Sequence, residues 1–151
     1  MRLSHLGRLR SRRLSWGWWR DRRRSPPAGR SPAPAADRRL SKLLSAFEHG
    51  LELIRSGEFF AAHEELELAW RAAREAERDF YQGLVHVAVA WYQAGRGNRV
   101  GCERQLEKAE RRLGPYAPLH EGVDVASVLE QVRAAAAVVR GGSLDLPPPR
   151  L

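Results

Sequence analysis

Residues 79–95 constrain the fold more than any other stretch, because their apolar side chains run almost all the way round a helix. Phe80, Leu84, Val87, Ala88 and Trp91 form one stripe, and Tyr81, Val85, Val89 and Tyr92 widen it. At about 100° per residue such a segment keeps little face for solvent, which makes it the central helix of an all-α core. Its polar exception is a narrow strip of Gln82, His86 and Gln93. Gln82 also follows Asp79 by three residues, the spacing of a capping box that would start the helix at Asp79.

Four amphipathic helices are expected around it. The first opens at Asp37, a side chain suited to capping free N–H groups, and turns Leu40, Leu43, Leu44, Phe47, Leu51 and Ile54 inward. Ser56 and Gly57 break it, and a second helix runs on to about Ala73. Residues 74–78 must then hold a turn if the next helix is to fold back. Gly95 and Gly97 close the central helix, and Asn98 caps a fourth that carries Cys102, Leu106, Ala109 and Leu113. Gly114 and Pro115 end that one. Asp124 caps a fifth, with Val125, Val128, Leu129, Val132, Ala136 and Val139 inward. No segment shows the period-2 alternation of a strand. The expected fold class is all-α: a compact bundle of about five helices over residues 37–140, a disordered basic Arg/Pro/Ser-rich extension over 1–36, and a Pro-rich tail over 141–151.

Charge is unevenly placed along this plan. Residues 1–36 hold ten arginines against Asp21 alone, a balance of +9, whereas the remainder carries 16 basic and 17 acidic side chains, a balance of −1. Any attraction to nucleic acid or an anionic surface therefore rests on residues 1–36, where arginine offers phosphate contacts and Trp16, Trp18 and Trp19 offer rings to stack or insert. The single cysteine, Cys102, excludes an internal disulfide and a cysteine-built zinc cage. Its place on an apolar stripe makes it a buried, inert thiol. No transmembrane segment is expected, since no apolar run reaches about 18 residues, and the N-terminal region lacks the apolar core of a secretory signal. These features point to a cytoplasmic protein, and the composition is compatible with a homo-oligomer.

The second helix carries the chemistry-bearing residues. In a helical projection Leu66, Phe59, Trp70, His63, Glu67 and Phe60 fall within an arc of roughly 120°. His63 is thus expected to point inward beside Trp70, with Glu67 one turn further on, while Glu64 sits about 100° away at the edge of that face. A titratable pair on an apolar face needs partners, and the Gln82–His86 strip of the central helix is the nearest source. A divalent metal would take His63 and Glu67 as ligands, joined by Glu64, His86 or Gln82. His49, on a turn expected to be exposed, and His120, in a loop, are weaker candidates. The bland alternative is a satisfied network, in which His63 gives a ring proton to Glu67 and Gln82 or an arginine completes the pattern.

Four stretches read together as a signature: residues 57–64 (Gly-Glu-Phe-Phe-Ala-Ala-His-Glu) with Glu67 and Trp70; residues 82–90 opening on Gln-Gly-Leu; Arg96-Gly97-Asn98 with Gly101; and Gly122-Val123-Asp124. This pattern resembles the domain of unknown function 309 family of small all-α proteins, over about residues 45–135. The resemblance implies an all-α fold and no established activity, although some members are labelled metal-dependent hydrolases. His86 stands where many relatives carry Gln, and Cys102 where a small Ala is usual.

Three functional readings follow. In the first, the chain is a small α-helical domain whose His63–Glu67 cluster is structural or binds a ligand. In the second it is a metal-dependent hydrolase, with His63 and Glu67 on the metal and Glu64 as general base for a bound water. In the third, residues 1–36 bind nucleic acid or a membrane surface.

Overall fold

The computed structural model describes residues 33–151; the expected extension, up to residue 32, lies outside the described residues. Five helices follow in order: α1 (Ala33–Arg55), α2 (Phe59–Ala72), α3 (Arg78–Gly95), α4 (Arg99–Leu113) and α5 (Val125–Arg140). Consecutive helices are neighbours, and α3 lies between α2 and α4. The all-α bundle read from the periodicity is the fold. Phe80, Leu84, Val87 and Ala88 of α3 are fully buried, as are Cys102, Leu106, Ala109 and Leu113 of α4. Among the described residues no helix is long and apolar enough to cross a membrane.

Two glycines set the tightest helix contacts. A Cβ added at Gly50 of α1 would stand 2.7 Å from Leu66 Cγ of α2, and one at Gly83 of α3 would stand 2.6 Å from Leu113 Cγ of α4. The close approach of α1 explains the face that α2 buries. Its fully buried residues are Ala62, Leu66 and Ala69, continued by Ala73. The larger Phe60 and Trp70 spread to the flank, where Phe60 is 40% exposed and Trp70 half-buried.

Several boundaries differ from expectation. Helix α1 starts at Ala33, so Asp37 lies within it and does not cap it. Alanines at 33, 35 and 36 favour the helix, and Pro34 is tolerated in a first turn. Leu43, Phe47, Leu51 and Ile54 are buried as expected, but Leu40 and Leu44 are exposed. Arg39 donates to the Ala72 and Ala73 carbonyls at 2.5 and 3.0 Å, so this part of α1 lies at the end of α2, where less surface remains to cover it. Those bonds also satisfy orphan carbonyls at the α2 C-terminus.

The turn demanded between α2 and α3 is a 3₁₀ turn over Glu75–Glu77, entered through extended backbone at Ala73 and Arg74. Helix α3 begins at Arg78, and its N-cap residue Glu77 makes no side-chain cap. Asp79 is therefore inside the first turn and pairs with Arg112 of α4, so the expected capping box does not form. Asn98 and Asp124 do cap, each accepting a main-chain N–H at 2.9 Å, from Gly101 and Ser127.

The expectation of no strand is overturned by a short hairpin, β1 (Leu119–His120) antiparallel to β2 (Val123–Asp124), with His120 opposite Val123. Its turn residues Glu121 and Gly122 have φ of 47° and 74°, the paired positive values of a two-residue type I′ turn. Strands of two residues are too short to print an alternation. After α5 the chain turns at Gly142 (φ 96°), and its last residues lie back against α3 and α5.

Candidate functional site

Helix geometry puts His63, Glu67 and Arg71 at successive turns of α2, on the flank of its alanine-lined buried face. The side chains of His63 and Glu67 are 11% and 6% exposed. His63 Nδ1–H donates to the Phe60 carbonyl at 2.5 Å, which turns Nε2 toward Glu67 Oε1, 3.9 Å away. Arg71 Nη2 donates to Glu67 Oε2 at 3.0 Å. An arginine thus completes the pattern, and it comes from the same helix. The Phe60 ring meets the His63 ring edge-on with centroids 4.9 Å apart, and lies 5.4 Å from Tyr92 of α3.

An Nδ1 bound to a carbonyl with Nε2 turned outward is also how a ligating imidazole is held. The donor set nevertheless suits a cation poorly. The guanidinium of Arg71 neutralises the carboxylate that would serve as ligand. Among the described residues no third His, Cys, Asp or Glu atom converges on the pair. Glu64 is exposed.

The polar strip of α3 meets α4. His86 is buried, and its Nδ1–H donates to Gln105 Oε1 at 2.7 Å. Burial pushes the imidazole down to about 4, against the raising effect of the Gln105 bond, and the charges of Lys108, Arg112 and Arg111 push the same way as burial. Gln93 is also buried; its side-chain oxygen accepts from Asn98 Nδ2 at 2.9 Å, which ties the helix cap to the core. Gln82 is half-buried. The strip is an interhelical seam and not a solvent-facing edge, and at His86 it turns to Gln105. Cys102 lies fully buried in the same region, and burial raises its thiol to about 11, which suits an inert side chain.

His49 is exposed as expected, although Gly50 beside it is not, and His120 lies in a strand and not in a loop. Gly50 is buried against Leu66, while His49 is exposed and lies 3.6 Å from Glu65. His120 joins a second polar group that periodicity could not foresee, because the type I′ turn brings it and Glu121 to Glu77. One ligand-capable atom from each of Glu77, His120 and Glu121 lies within 4.8 Å of the others. His120 Nε2–H donates to Glu77 Oε2 at 2.6 Å, and its ring stands edge-on to Phe80 and Tyr116, at 4.6 and 4.7 Å. Two ligands of one tetrahedral metal sit about 3.3 Å apart, given bonds of about 2.0–2.2 Å. The His120–Glu77 contact is shorter than that and is closed as a hydrogen bond, latching the hairpin onto the start of α3. The nearby Tyr81 hydroxyl is raised to about 12, by burial first and then by Glu121 and Glu77. The only sequence sign of this group was the Glu-Gly pair at the turn.

Comparison with known proteins adds one assignment. Residues 47–105 match the family described as Domain of unknown function (DUF309), a span that covers the second half of α1, all of α2 and α3, and the first half of α4. No curated protein and no solved structure matches the chain.

Proposed function

We propose, for a chain whose residues 47–105 belong to the domain of unknown function DUF309 family, that this is a non-catalytic helical domain in which His63, Glu67 and Arg71 form a polar cluster along the flank of α2, joined to α3 through the Phe60 and Tyr92 rings. The observation that carries the reading is the 3.0 Å pair between Arg71 and Glu67, which places a fixed cation on the carboxylate a metal would need. The chemistry is that of a polar cluster in which the Arg71 guanidinium lies on one carboxylate oxygen of Glu67 and the His63 ring faces the other. The metal-dependent alternative, with Glu64 as base, is supported by the orientation of His63 Nε2 alone. Melting of the Glu67→Gln chain, together with zinc titration of the EDTA-treated parent, separates the two. A lower melting temperature in the variant and no zinc-induced rise in the parent support the structural reading. An unchanged variant and a stoichiometric zinc-induced rise overturn it.

The +9 balance of residues 1–36 supports a second reading, an arm that binds nucleic acid or an anionic surface. Removal of residues 1–36 should then abolish salt-sensitive binding, and retained binding would locate the activity in the helical domain.

A further inference from the structure

The end of the chain occupies a groove between helices. Pro149 is buried where Val87 and Trp91 of α3 meet Val128 and Val132 of α5. Trp91 Nε1–H donates to the Pro147 carbonyl at 2.9 Å. Gln131 of α5 pairs with Arg150 in both directions, its Nε2–H donating to the Arg150 carbonyl and its Oε1 accepting from the Arg150 N–H, each at 2.7 Å. Arg55 of α1 donates to the main-chain oxygen of Leu151 at 3.1 Å.

The bonds from Trp91, Gln131 and Arg55 all go to main-chain atoms. The groove therefore reads an extended backbone, not the identity of Arg150 or Leu151. Three consecutive prolines hold residues 147–149 near the polyproline II conformation before any contact is made. An indole N–H aimed at a proline carbonyl beside an apolar wall is how proline-rich segments are gripped elsewhere. Of residues 143–151 only Pro149 is buried, and the rest of the segment is half-buried or exposed.

We propose that this groove is a binding site for an extended, proline-rich segment of a partner protein, with residues 147–151 as the tethered occupant it displaces. The proposal deepens the reading of a non-catalytic domain by naming a ligand class, and it uses none of His63, Glu67 or Arg71. The tether favours a foreign partner over a second copy of this chain. An attached tail acts at an effective concentration in the millimolar range, so an identical tail offered in trans makes the same contacts with an added association penalty. Only a segment that extends the contacts wins.

The test uses the full-length chain carrying Pro149→Glu, which puts a charge into the apolar groove and releases the tail. A synthetic peptide of foreign sequence, Ala-Pro-Pro-Pro-Ala-Ala, is titrated in, with a peptide of residues 146–151 as the reference, while the Trp91 indole and Gln131 side-chain amide signals are followed by NMR. The expected result is a saturable shift of both signals, roughly tenfold or more weaker when Gln131→Ala is added, and weaker too in the unmodified chain. If Pro149→Glu does not fold, Pro147→Gly, which only loosens the tail, is titrated in the same way. A folded, opened chain that shows no shift overturns the proposal. A dimer of the unmodified chain that Pro149→Glu dissociates also overturns it, in favour of a second copy as occupant.

Discussion

Arg71 and Glu67 meet at 3.0 Å one helical turn apart on α2, with the carboxylate nearly buried and the guanidinium about half exposed. That asymmetry gives the pair its meaning. A carboxylate on the flank of an apolar face loses hydration, and a cation reaching over it from the solvent side offsets much of that loss. His63 adds its ring on the other side of the same carboxylate, steadied by the Phe60 carbonyl. In the proposed reading, the His-Glu spelling of α2 is the core of a charge-balanced network.

His86 gives the protein a specific acid sensitivity. Burial holds its folded value at about 4, below the usual 6.5. The unfolded chain therefore takes up this proton first as pH falls. Stability from a neutral His86 is fully present above about pH 6.5, declines from there, and is gone near pH 4. The full shift corresponds to about 3 kcal/mol as an upper bound. His86→Gln keeps a donor for Gln105 and removes the titration. Urea unfolding from pH 7 to 4 should fall less steeply in this variant than in the parent, and parallel slopes would refute the assignment.

The glycines at the helix crossings should resist even a methyl group. Gly50→Ala and Gly83→Ala should each lower stability by about 1–2 kcal/mol, overpacking at Leu66 and Leu113 outweighing the gain in helix propensity. Gly95→Ala is the control: its added Cβ meets nothing within 4 Å, so it should be neutral or stabilising. Thermal melts of the three variants give the comparison.

Much of this architecture was legible because burial and helical period agree. Leu43, Phe47, Leu51, Ile54 and the α4 and α5 stripes fall where a 3.6-residue repeat puts them. The reading of α2 slipped because apolarity was weighed by side-chain size. Large aromatics drew the expected face toward Phe60 and Trp70, whereas Leu66 packs on Gly50 and the buried face turns toward Ala62, Ala69 and Ala73. Asp79 was legible as an acid near a helix start, but its choice of Arg112 over a cap depends on where α4 lies. The Glu77–His120 latch and the return of Pro149 onto α3 join residues 43 and more than 50 positions apart, and no local period encodes such contacts.

The central claim, that the α2 cluster is a charge-balanced network and not a metal centre, is tested most directly by melting Arg71→Leu with and without zinc. The expected loss is about 1–3 kcal/mol, seen as a melting temperature lower by roughly 3–10 °C, because Glu67 loses the Arg71 guanidinium. Zinc should restore none of it. A variant that melts like the parent, or one that zinc stabilises through His63 and Glu67 once the competing guanidinium is gone, would contradict the claim.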